Sequence, residues 1–94
     1  MDAIGRIRDH RREIARRFKV DRLGVFGSVS RGEDTSSSDV DILVRFQEGQ
    51  KTFDNFMELK FYLEELLGRE VDLLTFESIH PLMKERILRE AVYV

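Results

Sequence analysis

Gly27-Ser28 and, after ten intervening residues, Asp39-Val40-Asp41 are the residues of this chain whose types and spacing suit chemistry. The segment reads GSVSRGEDTSSSDVDILVRF. Asp39 and Asp41 stand two apart at the head of an apolar run, so on a strand both carboxylates leave one face, roughly 7 Å apart at Cα. Such oxygen donors can converge on Mg2+, which keeps some water and bridges carboxylates to substrate phosphates. Two ions about 3.5–4 Å apart stabilise the attacking and leaving oxygens of an in-line displacement. Asp72, within Val71-Asp72-Leu73-Leu74, is the natural third carboxylate. If its strand adjoins that of Asp41, it can share a metal and take the proton of an attacking hydroxyl.

Glycine at 27 permits a tight turn and close approach to a ligand. Exposed N–H groups there, with the Ser28 hydroxyl, can hydrogen-bond phosphate oxygens. Arg31 lies within reach as a phosphate clamp. Plainer readings compete. A lone Gly-Ser is more often a mere turn, and Asp39 after Ser36-Ser37-Ser38 reads equally well as a turn residue. Asp41 and Asp72 resist dismissal, because Asp is disfavoured inside strands and both have apolar neighbours. Clustered carboxylates without a cation raise one another's pKa, which gives a purely structural protein nothing. Gly27-x4-Gly32 has the glycine spacing of a P-loop, but Glu33-Asp34 replaces Lys-Ser/Thr, so it is not a Walker A site. His10 and His80 are isolated and read as surface or helix-end residues. Tyr62 and Tyr93 read as core or surface, and no Ser-His-Asp or Cys-His set exists.

Positioning these groups requires a small scaffold. Apolar periodicity predicts a helix over 2–18, with Ile4, Ile7, Ile14, Ala15 and Phe18 on one face. A buried strand follows at 23–26, then a turn and loop over 27–38 with one helical turn near 29–31. Alternation predicts a strand over 40–46, with Val40, Ile42, Val44 and Phe46 opposite Asp41, Leu43 and Arg45, and with Asp39 on the acidic side. A helix from Phe53 to Leu67 is stopped by Gly68. A third strand over 70–76 sets Val71, Leu73 and Thr75 against Asp72 and Leu74. Ser78 is placed to cap a last helix, with Pro81 in its first turn, that runs to the C-terminus. The order α-β-β-α-β-α implies an α/β (α+β) domain: a small three-stranded mixed sheet flanked by helices. The intervening helix is long enough for a crossover, so strands two and three are expected to be parallel.

Ninety-four residues bound the answer to a single domain, 1–94, and seven Phe suffice for one core. The absence of cysteine excludes disulfides and thiolate metal sites and fits a reducing cytoplasm. No apolar run approaches the ~18–20 residues of a membrane span, and the N-terminus lacks a signal-peptide core, so a cytoplasmic protein is expected. Net charge is −2, yet residues 1–22 carry eight Arg/Lys against four Asp/Glu. With the whole chain acidic, that segment reads as a solvated helix face or a dock for an acidic partner, rather than a nucleic-acid contact.

Taken together, Gly27-Ser28, the ten-residue gap holding Arg31-Gly32, Ser38 and Asp39-x-Asp41 resemble the polymerase-β-like nucleotidyltransferase superfamily. Within it the chain is most similar to the minimal nucleotidyltransferases (MNT), which consist of the catalytic core alone. The resemblance covers essentially the whole chain, including Ile79–Val94 with Glu85-Arg86-Ile87-Leu88-Arg89-Glu90-Ala91. It implies a polymerase-β-like core in which Asp39 and Asp41 hold two Mg2+ ions and Asp72 completes the triad. Gly27 and Ser28 would contact the triphosphate of ATP, with Arg31 and Ser38 in the same phosphate-binding set. It further implies an antitoxin that transfers AMP from ATP to a tyrosine of a HEPN-domain RNase toxin. With no second domain expected to hold an acceptor, another macromolecule must deliver it. Silencing of the partner by occlusion alone, and nucleotidyl transfer to a small molecule, are the alternatives. Two departures stand out: Ser30 where Ala is frequent, which should be tolerated, and Glu33-Asp34, two further acids expected to weaken nucleotide affinity.

Overall fold

A computed structural model describes residues 2–94. The chain opens with two helices where periodicity predicts one: α1 (Ala3–Asp9) and α2 (Arg11–Phe18). Asp2 caps α1 by accepting the Ile4 N–H at 3.1 Å. The break falls at His10, whose N–H turns back to the Ile7 carbonyl at 3.1 Å and whose Nδ1 donates to the Arg6 carbonyl at 2.9 Å. That ring satisfies a carbonyl left open at the helix end. Ile7, Ile14 and Phe18 remain buried on one side, so the apolar face survives the break.

β1 (Val20–Phe26) is longer than its apolar run, because the exposed Asp21 and Arg22 are carried by pairing with β2 (Val40–Phe46), with an irregularity between Val20 and Arg22. The short helix α3 (Gly27–Arg31) follows β1 directly. α4 (Phe53–Leu67) is capped by Thr52, which accepts the Asn55 N–H at 3.1 Å, and ends at Gly68 in the left-handed conformation. β3 (Val71–Thr75) then runs parallel to β2 as expected. A single 3-10 turn over Phe76–Ser78 leads to α5 (Pro81–Glu90). The cap of α5 is His80, whose Nδ1 accepts the Leu82 N–H at 3.1 Å, and not Ser78. Ser78 instead closes the 3-10 turn by donating to the Thr75 carbonyl at 3.0 Å.

Among the described residues the sheet has four strands, not three, in the order β3-β2-β1-β4. The last helix stops at Glu90, and β4 (Val92–Tyr93) pairs antiparallel with Gly24 and Val25. A β-branched residue and an aromatic suit a strand, and the bare Gly24 leaves room for the Tyr93 ring. An added Cβ at Gly24 would lie 3.0 Å from that ring.

One face of the sheet carries Val25, Val40, Ile42, Val44, Val71 and Leu73 into the main core against α1, α2 and α4. The other carries Leu43 into a smaller core with Ile79 and Ile87, flanked by Phe26, Leu74, Phe76 and Leu88. This division follows the period-two alternation of β2 and β3, and it puts α5 on the same face as Asp41 and Asp72. Leu43 is fully buried in the second core. Leu43→Ala is expected to lower the unfolding free energy by about 3 kcal/mol in urea titrations. No helix among the described residues is long and apolar enough to cross a membrane.

Candidate active site

The site lies where β1 ends and the parallel pair β2 and β3 begins. Asp41 is the register partner of Asp72 on one side and of Phe26 on the other, the residue just before Gly27. The Gly27-Ser28 turn and two carboxylates thus meet at one sheet end. Asp39 precedes the first residue of β2 and is exposed, as is Asp72, whereas Asp41 is half-buried.

Gly27 is required here twice over. Its φ of 71° lies in the left-handed region, which side chains disfavour. A Cβ on Gly27 would also overlap the Asp41 carboxylate, whose Cγ would be only 3.0 Å away. The glycine therefore lets the turn rest directly on the carboxylate that the sheet delivers.

Next to it, Ser28 and Ser30 divide their tasks. The Ser30 hydroxyl donates to the Gly27 carbonyl at 2.8 Å and holds the turn. The Ser28 hydroxyl makes no hydrogen bond among the described residues, and it remains open to a ligand. Ser38 is engaged within its own loop, accepting the Thr35 N–H at 2.9 Å and sharing a hydroxyl contact with Thr35 at 3.0 Å. Arg31 is held between two carboxylates, Glu33 at 2.9 Å and Glu90 at 2.6 Å.

Electrostatics single out Asp41. Burial first, then the charges of Asp72, Asp39 and Glu90, raise its carboxyl above the ordinary value, while Arg31 partly offsets them. Burial and neighbouring acids thus disfavour the ionised form of this carboxylate. The donors are all hard oxygens, which suits Mg2+ and excludes a soft-metal site. Among the described residues no group of three or more acidic, imidazole or thiol side chains is placed to hold a metal ion.

Sequence reasoning brought Gly27, Ser28, Asp39, Asp41 and Asp72 to one place, and it missed two neighbours. Glu90 reaches Arg31 from the end of α5, with its side chain only 15% exposed and its Oε2 buried without a hydrogen-bond partner among the described residues. Its place in the C-terminal segment gave the only signal. Arg69 binds the loop before Asp39, and nothing in its local sequence announces that.

A mixed sheet presenting paired carboxylates beside a glycine turn is an arrangement suited to nucleotidyl transfer. The chain belongs to the Nucleotidyltransferase domain family, which matches residues 7–94, and it is a nucleotidyltransferase. It is 56% identical over 75 residues to MJ0435 of Methanocaldococcus jannaschii, provisionally named a protein adenylyltransferase, covering 80% of each chain. It is 48% identical over 85 residues to the protein adenylyltransferase MntA of Thermococcus cleftensis, covering 90% of this chain and 85% of that one. A solved structure, described provisionally as a minimal nucleotidyltransferase, superposes with a TM-score of 0.79 at 40% identity, covering 98% of this chain and 95% of its own. A Shewanella oneidensis MNT antitoxin, solved in complex with a tri-AMPylated HEPN toxin, superposes with a TM-score of 0.68, covering 99% of this chain and 71% of the other. At 20% identity that last likeness speaks to the fold alone.

Proposed function

We propose that this nucleotidyltransferase moves AMP from ATP to a protein acceptor, a tyrosine of a HEPN-domain toxin, and so acts as its antitoxin in the cytoplasm. The observation that carries the reading is the pairing of Asp41 with Asp72 beneath the Gly27-Ser28 turn. The names of relatives such as MntA supply the acceptor class, and the Shewanella complex supplies the kind of partner.

In this reading the Ser28 hydroxyl and the N–H groups of the turn bind the triphosphate and orient its α-phosphorus toward the acids. Asp39, Asp41 and Asp72 would hold Mg2+, which when bound neutralises phosphate charge and stabilises the entering and departing oxygens. Asp72, exposed at the edge strand β3, accepts the proton of the acceptor hydroxyl. The phenolic oxygen bonds to the α-phosphorus, the bond to the β-phosphate bridge breaks, and pyrophosphate leaves.

Incubation with ATP, Mg2+ and the product of the neighbouring gene, followed by intact-mass measurement, tests this. The expected result is a partner heavier by one or more AMP units. A tight complex with an unmodified partner would instead mean silencing by occlusion, and AMP on an added small molecule would mean a different acceptor class.

A further inference from the structure

Asp39 stands just outside the regular sheet, because β2 begins at Val40. Its direction is therefore set by the loop before it. That loop leaves the body after Glu33, whose N–H donates to the Ser28 carbonyl at 2.9 Å. It rejoins at Val40, whose N–H donates to the Glu70 carbonyl at 2.9 Å. Between those points, among the described residues, every hydrogen bond from the loop to the rest of the protein comes from Arg69.

The contact is a fork. Arg69 Nε and Nη2 both donate to the Ser38 carbonyl, at 3.0 and 2.7 Å. Nη2 also donates to the Thr35 carbonyl at 3.0 Å, and Nη1 pairs with Asp34 at 3.1 Å. The Arg69 side chain is 17% exposed, so water competes weakly for these bonds. The Ser38 carbonyl belongs to the same planar peptide as the Asp39 nitrogen. Fixing that oxygen fixes the peptide plane before Asp39, as the Val40 N–H bond to the Glu70 carbonyl fixes the one after it, and together they set the direction in which Asp39 leaves the backbone.

We infer that Arg69 is a positioning residue for the nucleotidyl-transfer site, acting on Asp39 through the Ser38 carbonyl. The inference rests on the reading of Asp39 as a cation ligand. The segment Gly68–Asp72 thereby serves the site twice, presenting Asp72 and steering Asp39. Only Glu70 and Val71 separate the two functions. Lysine cannot replace the fork, since a single ammonium does not bind two carbonyls and a carboxylate in one plane.

The test uses the full chain, without acceptor, and two readouts. Amide hydrogen exchange of the metal-free protein reports the loop, and electron paramagnetic resonance of Mn2+ with ATP reports the site. Arg69→Lys is expected to speed exchange across residues 35–39 while leaving Leu43–Arg45 protected. It is expected to weaken Mn2+ binding about tenfold, the scale for losing a partner that orients a metal ligand. On an Asp39→Asn background the same substitution should change Mn2+ binding no further, because the route through Asp39 is already cut. Asp34→Asn, which loosens one arm of the fork with little risk to folding, should shift both readouts in the same direction by less.

A loosened loop with unchanged Mn2+ binding would overturn the inference, leaving Arg69 a purely structural strap. So would a full tenfold loss on the Asp39→Asn background. If the wild-type chain bound no Mn2+ in the presence of ATP, the cation-site reading would fall and take this inference with it.

Discussion

Asp41→Asn is expected to lower nucleotidyl transfer about a thousandfold, the upper scale for losing one electrostatic stabiliser of a transition state. It is expected at the same time to leave the metal-free protein more stable at neutral pH. Both results come from one cause. The sheet sets Asp41 beside Asp72 and under the Gly27 turn, where burial and neighbouring acids raise its carboxyl above the ordinary value of 3.8. Ionised and without a counter-ion, it opposes folding. Asparagine keeps the shape and removes the charge.

The pH dependence follows by linkage. Between the unfolded value near 3.8 and the higher folded value, the folded chain binds the extra proton. Stability from this group therefore rises as pH falls through that window, and the penalty is fully present above it. The advantage of Asp41→Asn over the wild type should thus be greatest at neutral pH in the presence of a chelator. It should shrink on acidification and vanish below about 3.8. Thermal unfolding of the two proteins across a pH series measures it, and a variant less stable at pH 7 would contradict the electrostatic account.

Gly27→Ala is expected to be the most damaging single methyl in the chain. It forces a side chain into the left-handed region, at about 1–2 kcal/mol, and it drives that methyl into the Asp41 carboxylate. Asp41 must then turn away from the Gly27-Ser28 turn. A displacement of that order costs about a hundredfold in rate. Gly49→Ala is the control: its φ of 79° is equally left-handed, but among the described residues nothing lies within 4 Å of the added methyl. It should share the loss of stability and keep the activity. Initial rates and urea titrations on both variants separate the two effects. Equal activity in Gly27→Ala and Gly49→Ala would show that contact with Asp41 does not matter.

The parts of this protein legible in sequence are those governed by local periodicity. Alternation along 40–46 put Asp41 and Leu43 on one face, and alternation around Asp72 did the same for β3. A helix long enough to cross over then made the two strands parallel neighbours. What local pattern does not carry is partner choice. Val92-Tyr93 continues an amphipathic helix in sequence and becomes a strand because β1 offers it Gly24 and Val25. His10 breaks a helix whose apolar stripe is unbroken, because its ring can close on the Arg6 carbonyl. His80 displaced Ser78 as a cap because the 3-10 turn used Ser78 first. Arg69 reaches back 31 residues to Ser38, and Arg31 meets Glu90 across 59, so neither pairing leaves a periodic trace.

The central claim, that this site transfers AMP to a protein, is tested most directly by following the α-phosphorus of ATP. The chain is mixed with Mg2+, the product of the neighbouring gene, and ATP labelled at either the α- or the γ-phosphate. The account predicts covalent α-label on the partner, no γ-label, and loss of the signal in Asp41→Asn. Silencing of the partner by the wild-type chain, with neither label ever becoming attached, would contradict it.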